Sequence, residues 1–88
     1  MDIEISEHTS ERAKERGTND DEIKDVINTG NECSAKGSRL GKEKIYPYNN
    51  IWNGKTFPEK LVRVIYVIGE KVISTVTVIV QFGKWTKS

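Results

Sequence analysis

Two runs near the end of the chain, residues 61–68 (LVRVIYVI) and 72–82 (VISTVTVIVQF), are dense in β-branched and aromatic side chains. Only Gly69, Glu70 and Lys71 lie between them. Such side chains pack well on a pleated surface, so the two runs predict an antiparallel hairpin. Side chains alternate with a period of two, and a slip of one residue exchanges the faces. A two-residue loop would set Arg63 among Val72, Val76 and Val78, burying a lone cation at high cost. A three-residue loop gathers Val62, Val64, Tyr66, Ile68, Val72, Val76, Val78 and Val80 on one face. It leaves Arg63, Thr75 and Thr77 on the other, with Arg63 opposite Thr77. This is the expected register.

Something must cover that apolar face. Ile23, Val26 and Ile27 repeat at i, i+3, i+4 and stop at Gly30, which predicts a covering helix. Thr18 opens a near-match to a capping box, and Asp20, Asp21 and Glu22 favour the positive end of the helix dipole. An earlier helix is expected from Ser6 as N-cap to Gly17 as C′ residue. Residues 3–5 read as a short edge strand, and 32–36 and 43–48 as further strands around a flexible GSRLGK segment. Residues 49–59 (NNIWNGKTFPE) read as a loop anchored by the packing of Trp52 and Phe57. The expected architecture is a single α+β domain: a short N-terminal strand, two helices, then a four-stranded antiparallel sheet. Exposed sheet edges would let two copies pair as a homodimer.

The first helix differs from the second. Between Ser6 and Arg16 its only apolar side chain is Ala13, so it scarcely has a stripe to bury. His8, Arg12 and Arg16 recur every four residues. Each step advances roughly 40°, which keeps the three on one face over about 12 Å. A titratable imidazole beside two guanidinium forks suits a phosphate better than a core. The competing reading is a solvated helix whose Glu7, Glu11 and Glu15 pair with its arginines. Likewise Arg16 would then only cap its helix, and Arg63 would pair with Glu59 or another acid.

Charged residues make up 31% of the 88-residue chain, yet the net charge is only +1. Any basic surface must therefore be local. Cys33 is the only cysteine and His8 the only histidine. No internal disulfide and no set of soft metal ligands can form, so no metal and no cofactor is expected. No apolar run approaches the length of a membrane span, and MDIEISEH lacks the basic and apolar regions of a signal peptide. A soluble, cytoplasmic protein without a membrane partner is the expectation.

The order His8-x3-Arg12-x3-Arg16-Gly17, an acidic second helix, then RVIYVI and VISTVTV resembles domain-of-unknown-function family 4258. That family is similar to the RelE and BrnT ribonuclease toxins, and more broadly to the barnase/EndoU/colicin/RelE group of small metal-independent ribonucleases. The resemblance spans roughly residues 8–80, and the segment at 49–59 departs from it. It implies a RelE-like fold and a site built from a helical His/Arg row and polar residues of the sheet. Carried over, it points to His8, Arg12, Arg16 and Arg63, and to Thr77 or Thr75. It implies a toxin-type endoribonuclease, a hydrolase acting on mRNA or tRNA and restrained by an antitoxin protein.

In such an enzyme the RNA 2′-hydroxyl attacks the adjacent phosphorus and expels the 5′ oxygen. That chemistry needs a base, an acid and cations for the phosphorane. Histidine, with a reference pKa of about 6.5, makes His8 the leading acid/base. Arg12, Arg16 and Arg63 would hold non-bridging oxygens, Thr77 would donate one hydrogen bond, and Tyr46 or Lys44 would supply a second proton-transfer group. The alternative is a non-catalytic RNA- or protein-binding module. Trp85, with Lys84 and Lys87, would either touch RNA or pack back on the domain.

Overall fold

The expected C-terminal hairpin is the centre of the computed structural model, which describes residues 2–86. The elements run β1 (Asp2–Glu4), α1 (Glu7–Arg16), α2 (Asp20–Thr29), β2 (Asn31–Cys33), β3 (Leu40–Trp52), β4 (Lys55–Ile68) and β5 (Val72–Gly83). They form one α+β unit: two helices and a five-stranded mixed sheet of order β1-β5-β4-β3-β2. Strands β2 to β5 pair antiparallel, but the sheet is not the expected four-stranded antiparallel one. The correction is β1, which joins β5 in parallel through Asp2↔Val72 to Glu4↔Ser74. The two helices carry the chain from β1 across the sheet to β2 at the opposite edge, and β3 and β4 bring it back to β5 beside β1.

The hairpin register is also corrected. Gly69 N donates to the Val72 carbonyl at 2.8 Å, and Ile68 pairs with Ile73 rather than Val72. A β-bulge at Val76 then inserts another residue, so Ile65 pairs with Thr77, Val64 with Val78 and Arg63 with Ile79. Each offset alone would swap the faces, and the two together restore them. Val62, Val64, Tyr66 and Val78 are therefore core as expected, with Val80 packed against them. Arg63 and Thr77 still share the opposite face, as diagonal neighbours rather than a direct pair. Thr75, on the turn side of the bulge, pairs with core Tyr66 and so leaves that face. Ile73 takes the core place expected of Val72 and Val76, and Ile68 is 54% exposed.

Both helices cover one side of the sheet, α1 against β5 and α2 against β3 and β4. Ile23, Val26 and Ile27 meet Val62, Val64, Tyr66 and Val78 in the core, and Ala13 is the one residue of α1 in that cluster. Ser6 caps α1 by accepting from Thr9 N at 3.2 Å. Asn19, not Thr18, caps α2, accepting from Glu22 N at 2.9 Å. Thr18 instead donates its hydroxyl to the Glu22 carboxylate at 2.7 Å.

Residues 49–59 are not a loop. They are the far end of a long β3–β4 arm that turns at Asn53-Gly54, with φ of 51° and 81°. Two consecutive left-handed residues make the two-residue turn that fits strand twist, and Asn-Gly is its preferred sequence. The anchoring expected of Trp52 and Phe57 is present. Trp52 stacks on Phe82 with ring centroids 4.7 Å apart, and Tyr48 and Phe57 lie at 4.9 and 5.8 Å from the same ring. Gly17, at φ 93°, closes over this cluster: a Cβ there would sit 2.9 Å from Phe82 and 3.2 Å from Trp52.

Candidate phosphate-binding cleft

Strand β1 ends at Glu4, so beyond Ser74 the outer edge of β5 has no strand beside it. Helix α1 occupies that place. Its His8, Thr9, Arg12 and Arg16 face Val76, Thr77 and Val78 across a cleft of about 230 Å³. The helical row predicted from the four-residue spacing is thus assembled, and Thr77 stands on the opposite wall. His8 and Arg12 are exposed, Arg16 is partly buried and Thr9 is buried. Thr9 is tied back to the N-cap, accepting from the Ser6 hydroxyl at 2.9 Å.

Arg16 is anchored. Its Nη1 donates to the Val78 carbonyl, an edge group that no strand satisfies. A guanidinium carries five N–H donors in a fixed fork, so this bond leaves donors for a second acceptor. Within an extended residue the N–H and C=O point the same way. The Val78 N–H is therefore turned toward the same edge as Arg16. A half-buried cation, an exposed cation, an imidazole and a strand-edge N–H surround one small volume. Such a set complements an anion with several oxygens.

The bulge separates Thr75 from Thr77. Thr77 lines the cleft, whereas the Thr75 hydroxyl lies 3.4 Å from the Glu4 carbonyl. Arg63 does not line the cleft. It lies one strand inward, its Nη2 3.5 Å from Glu43, its cross-strand neighbour. The acid it pairs with is Glu43; Glu59 is held by the chain end, accepting from Trp85 N at 2.6 Å and Thr86 N at 2.9 Å. The Thr86 hydroxyl, donating to the same carboxylate at 2.6 Å, and after it these two amides hold the Glu59 carboxyl below its usual range. Trp85 thus returns to the domain and lies against Gly83, while Lys87 is outside the described residues. Cys33 sits beside Glu43 and Arg63, and burial, with the Glu43 charge, pushes its thiol up.

Lys44 and Tyr46 are not part of the cleft either. Lys44 Nζ donates to Asp25 at 2.7 Å and Tyr46 Oη donates to the same carboxylate at 2.6 Å. Lys44 foremost, then Tyr46, holds the Asp25 carboxyl down at about 2. Burial and the Asp25 acceptor push the Tyr46 phenol well above its usual value. Both groups serve to dock α2 on β3. Lys60 does the same on β4, donating to Glu22 at 2.7 Å and to the Gly17 carbonyl at 2.8 Å.

Asp25, Glu22 and Glu43 were not expected as side-chain partners from the sequence, with Glu22 expected only to favour the helix dipole. For the first two a signal existed: carboxylates three residues apart beside the Ile23/Val26/Ile27 stripe must face whatever the stripe packs on. The Val78 carbonyl had none, since a backbone acceptor leaves no trace in residue type. Among the described residues no group of three or more His, Cys, Asp or Glu side chains is placed to hold a metal ion. No described helix is long and apolar enough to cross a membrane. Comparisons with protein-family models, with curated proteins and with solved structures found no match to this chain.

Proposed function

We propose that the α1–β5 cleft binds an RNA phosphate and that the protein is a metal-independent, toxin-type endoribonuclease on a RelE-like domain. The observation that carries this reading is the convergence of His8, Arg12, Arg16 and Thr77 on one cleft. The resemblance of the His8/Arg12/Arg16 order to family 4258 agrees with it, and would make mRNA or tRNA the substrate, an antitoxin protein the restraint and the cytoplasm the setting.

Bound there, a phosphodiester places its non-bridging oxygens against Arg12 and the free donors of Arg16. The Val78 N–H, turned to the same edge beside Thr77, donates to a third oxygen. His8 takes the proton of the 2′-hydroxyl as that oxygen attacks phosphorus. The P–O5′ bond breaks, leaving a 2′,3′-cyclic phosphate on one fragment. The departing 5′ oxygen gains its proton from water at the open mouth of the cleft. The arginines act on charge that grows in the phosphorane, where fixed donors lower the barrier most. No role falls to Lys44, Tyr46, Thr75 or Arg63 in this scheme.

One observation favours the alternative, a non-catalytic RNA- or protein-binding module. Lys44 and Tyr46, expected to supply a second proton-transfer group, are committed to Asp25. The discriminating experiment is cleavage of a labelled RNA in excess EDTA by wild-type protein, His8→Ala and Arg12→Ala. The enzyme reading expects cleavage by wild type and at least about a hundredfold loss in each variant, with circular dichroism unchanged. RNA that is bound but left intact by wild type supports the module instead.

A further inference from the structure

The helix layer does not reach the end of the sheet beyond the C-terminus of α2. Leu40 pairs with Tyr66 across β3 and β4, and Ile68 follows Tyr66 by two residues, so all three share the core face. Tyr66 is 5% exposed, yet Leu40 and Ile68 remain 43% and 54% exposed. Together with Glu32, Arg39 and Lys42 these side chains line a cavity of about 470 Å³. It shares no residue with the α1–β5 cleft. Large apolar side chains left open on the core face of a sheet, beside a cavity, fit an apolar ligand.

The polar groups of this cavity are unspent. A buried tyrosine normally finds a partner for its hydroxyl. Among the described residues Arg63 Nε alone is both sealed from solvent and without a hydrogen-bond partner. The Tyr66 hydroxyl also lacks a partner within the described chain, but it opens onto the cavity. Burial, and after it the Glu32 charge, push this phenol up, so it stays protonated and able to donate. Glu32 and Arg39 carry opposite charges on the same cavity, and neither pairs with the other or with another described charge. Lys42 is committed, its Nζ donating to the Ile27 carbonyl at 2.8 Å in the last turn of α2.

We infer that this cavity binds a free amino acid with an apolar side chain, its carboxylate on Arg39, its ammonium on Glu32 and its side chain on Leu40 and Ile68. The Tyr66 hydroxyl donates to the same carboxylate from the floor of the cavity. A guanidinium fork matches a carboxylate with two parallel bonds. Charge decides the ligand class. An apolar acid would leave Glu32 opposed, and an apolar amine would leave Arg39 opposed. A segment of a protein chain would set neutral amides against both, since its residues carry no terminal charge. Only a small zwitterion answers the anion, the cation and the apolar wall together. The volume lies in the range of small-molecule sites, about 300–1,000 Å³. A ligand of about ten non-hydrogen atoms in so open a site is expected to bind with a Kd of about 1 mM. This inference does not depend on the ribonuclease reading.

The test is a ¹H–¹⁵N NMR titration of the whole chain with leucine and phenylalanine up to about 20 mM. Glycine, N-acetylleucine and leucinamide serve as probes lacking the side chain, the ammonium and the carboxylate. Leucine or phenylalanine is expected to give saturable shifts at Glu32, Arg39, Leu40, Lys42 and Ile68, and the three probes to bind at least about tenfold more weakly. Arg39→Gln and Glu32→Gln should each weaken leucine binding about tenfold or more. Tyr66→Phe removes a hydroxyl with no partner in the chain. It should therefore keep the urea midpoint of wild type while binding leucine several-fold more weakly, which separates misfolding from lost contact. No saturable shift with either amino acid overturns the inference. So does binding of leucine that is indifferent to both charge variants, or binding of N-acetylleucine or leucinamide as tight as that of leucine.

Discussion

Arg16 Nη1 donates to the main-chain carbonyl of Val78, joining the end of α1 to the open edge of β5. That bond does two things. It satisfies an edge acceptor that β1 is too short to reach, and it fixes the width of the cleft whose floor includes Val78. Three residues of the helical row therefore have unequal duties: Arg16 builds the wall, while His8 and Arg12 remain exposed for a ligand.

This division predicts different stabilities. Arg16→Ala removes a charge-assisted hydrogen bond and the packed stem of the side chain, at a cost of about 1.5 kcal/mol. Arg12→Ala, at an exposed position, should stay within about 0.5 kcal/mol of wild type. Urea unfolding checks both. The Arg16 variant should have a lower midpoint at unchanged slope. Equal midpoints for the two variants would contradict the anchoring role.

The Asp25 junction predicts part of the acid response. Lys44 and Tyr46 hold its carboxyl at about 2, against 3.8 when unperturbed. The folded state thus has the lower pKa, so the contribution is complete above roughly pH 4. It is lost as the pH falls through about 2. Asp25→Asn should be less stable than wild type at pH 7 and should lose less on going from pH 5 to pH 2. Chemical unfolding at both pH values measures this; parallel losses in the two proteins would be evidence against it.

Gly17 predicts a contrast with Gly54. Both have left-handed φ, 93° and 81°, where a side chain costs about 1 kcal/mol. Nothing lies near Gly54, whereas a Cβ on Gly17 would press on Phe82 and Trp52. Gly54→Ala should therefore cost about 1 kcal/mol, and Gly17→Ala at least about 2 kcal/mol. A similar cost for the two would mean that the aromatic cluster yields freely.

Residue pattern alone reached the helices, the core face of the hairpin and the His8/Arg12/Arg16 row, because each depends on periodicity within one segment. It missed what depends on counting residues between segments. The turn at Gly69 and the bulge at Val76 each shift the register by one, and nothing in VISTVTV marks Val76 as the extra residue. The face assignment of Arg63 and Thr77 survived only because two shifts preserve parity. The β3–β4 arm is a different case. Asn53-Gly54 is a strong hairpin signal, but the surrounding Asn, Gly and Pro residues favoured a loop reading. Lys44 and Tyr46 are plausible proton-transfer side chains by type, and only the tertiary position of Asp25 shows them engaged elsewhere.

The most direct test of the cleft is a ¹H–¹⁵N and imidazole NMR titration with a short single-stranded RNA carrying 2′-deoxy sugars, which cannot undergo 2′-hydroxyl attack. The account predicts shifts at the His8 ring, the Arg12 and Arg16 side chains and the Thr77 and Val78 amides, and their loss in Arg12→Ala at moderate salt. Glu43, Arg63, Lys44 and Tyr46 should stay in place. Shifts centred on the β3–β4 arm or the sheet face opposite the helices, with His8 and Thr77 unmoved, would contradict it.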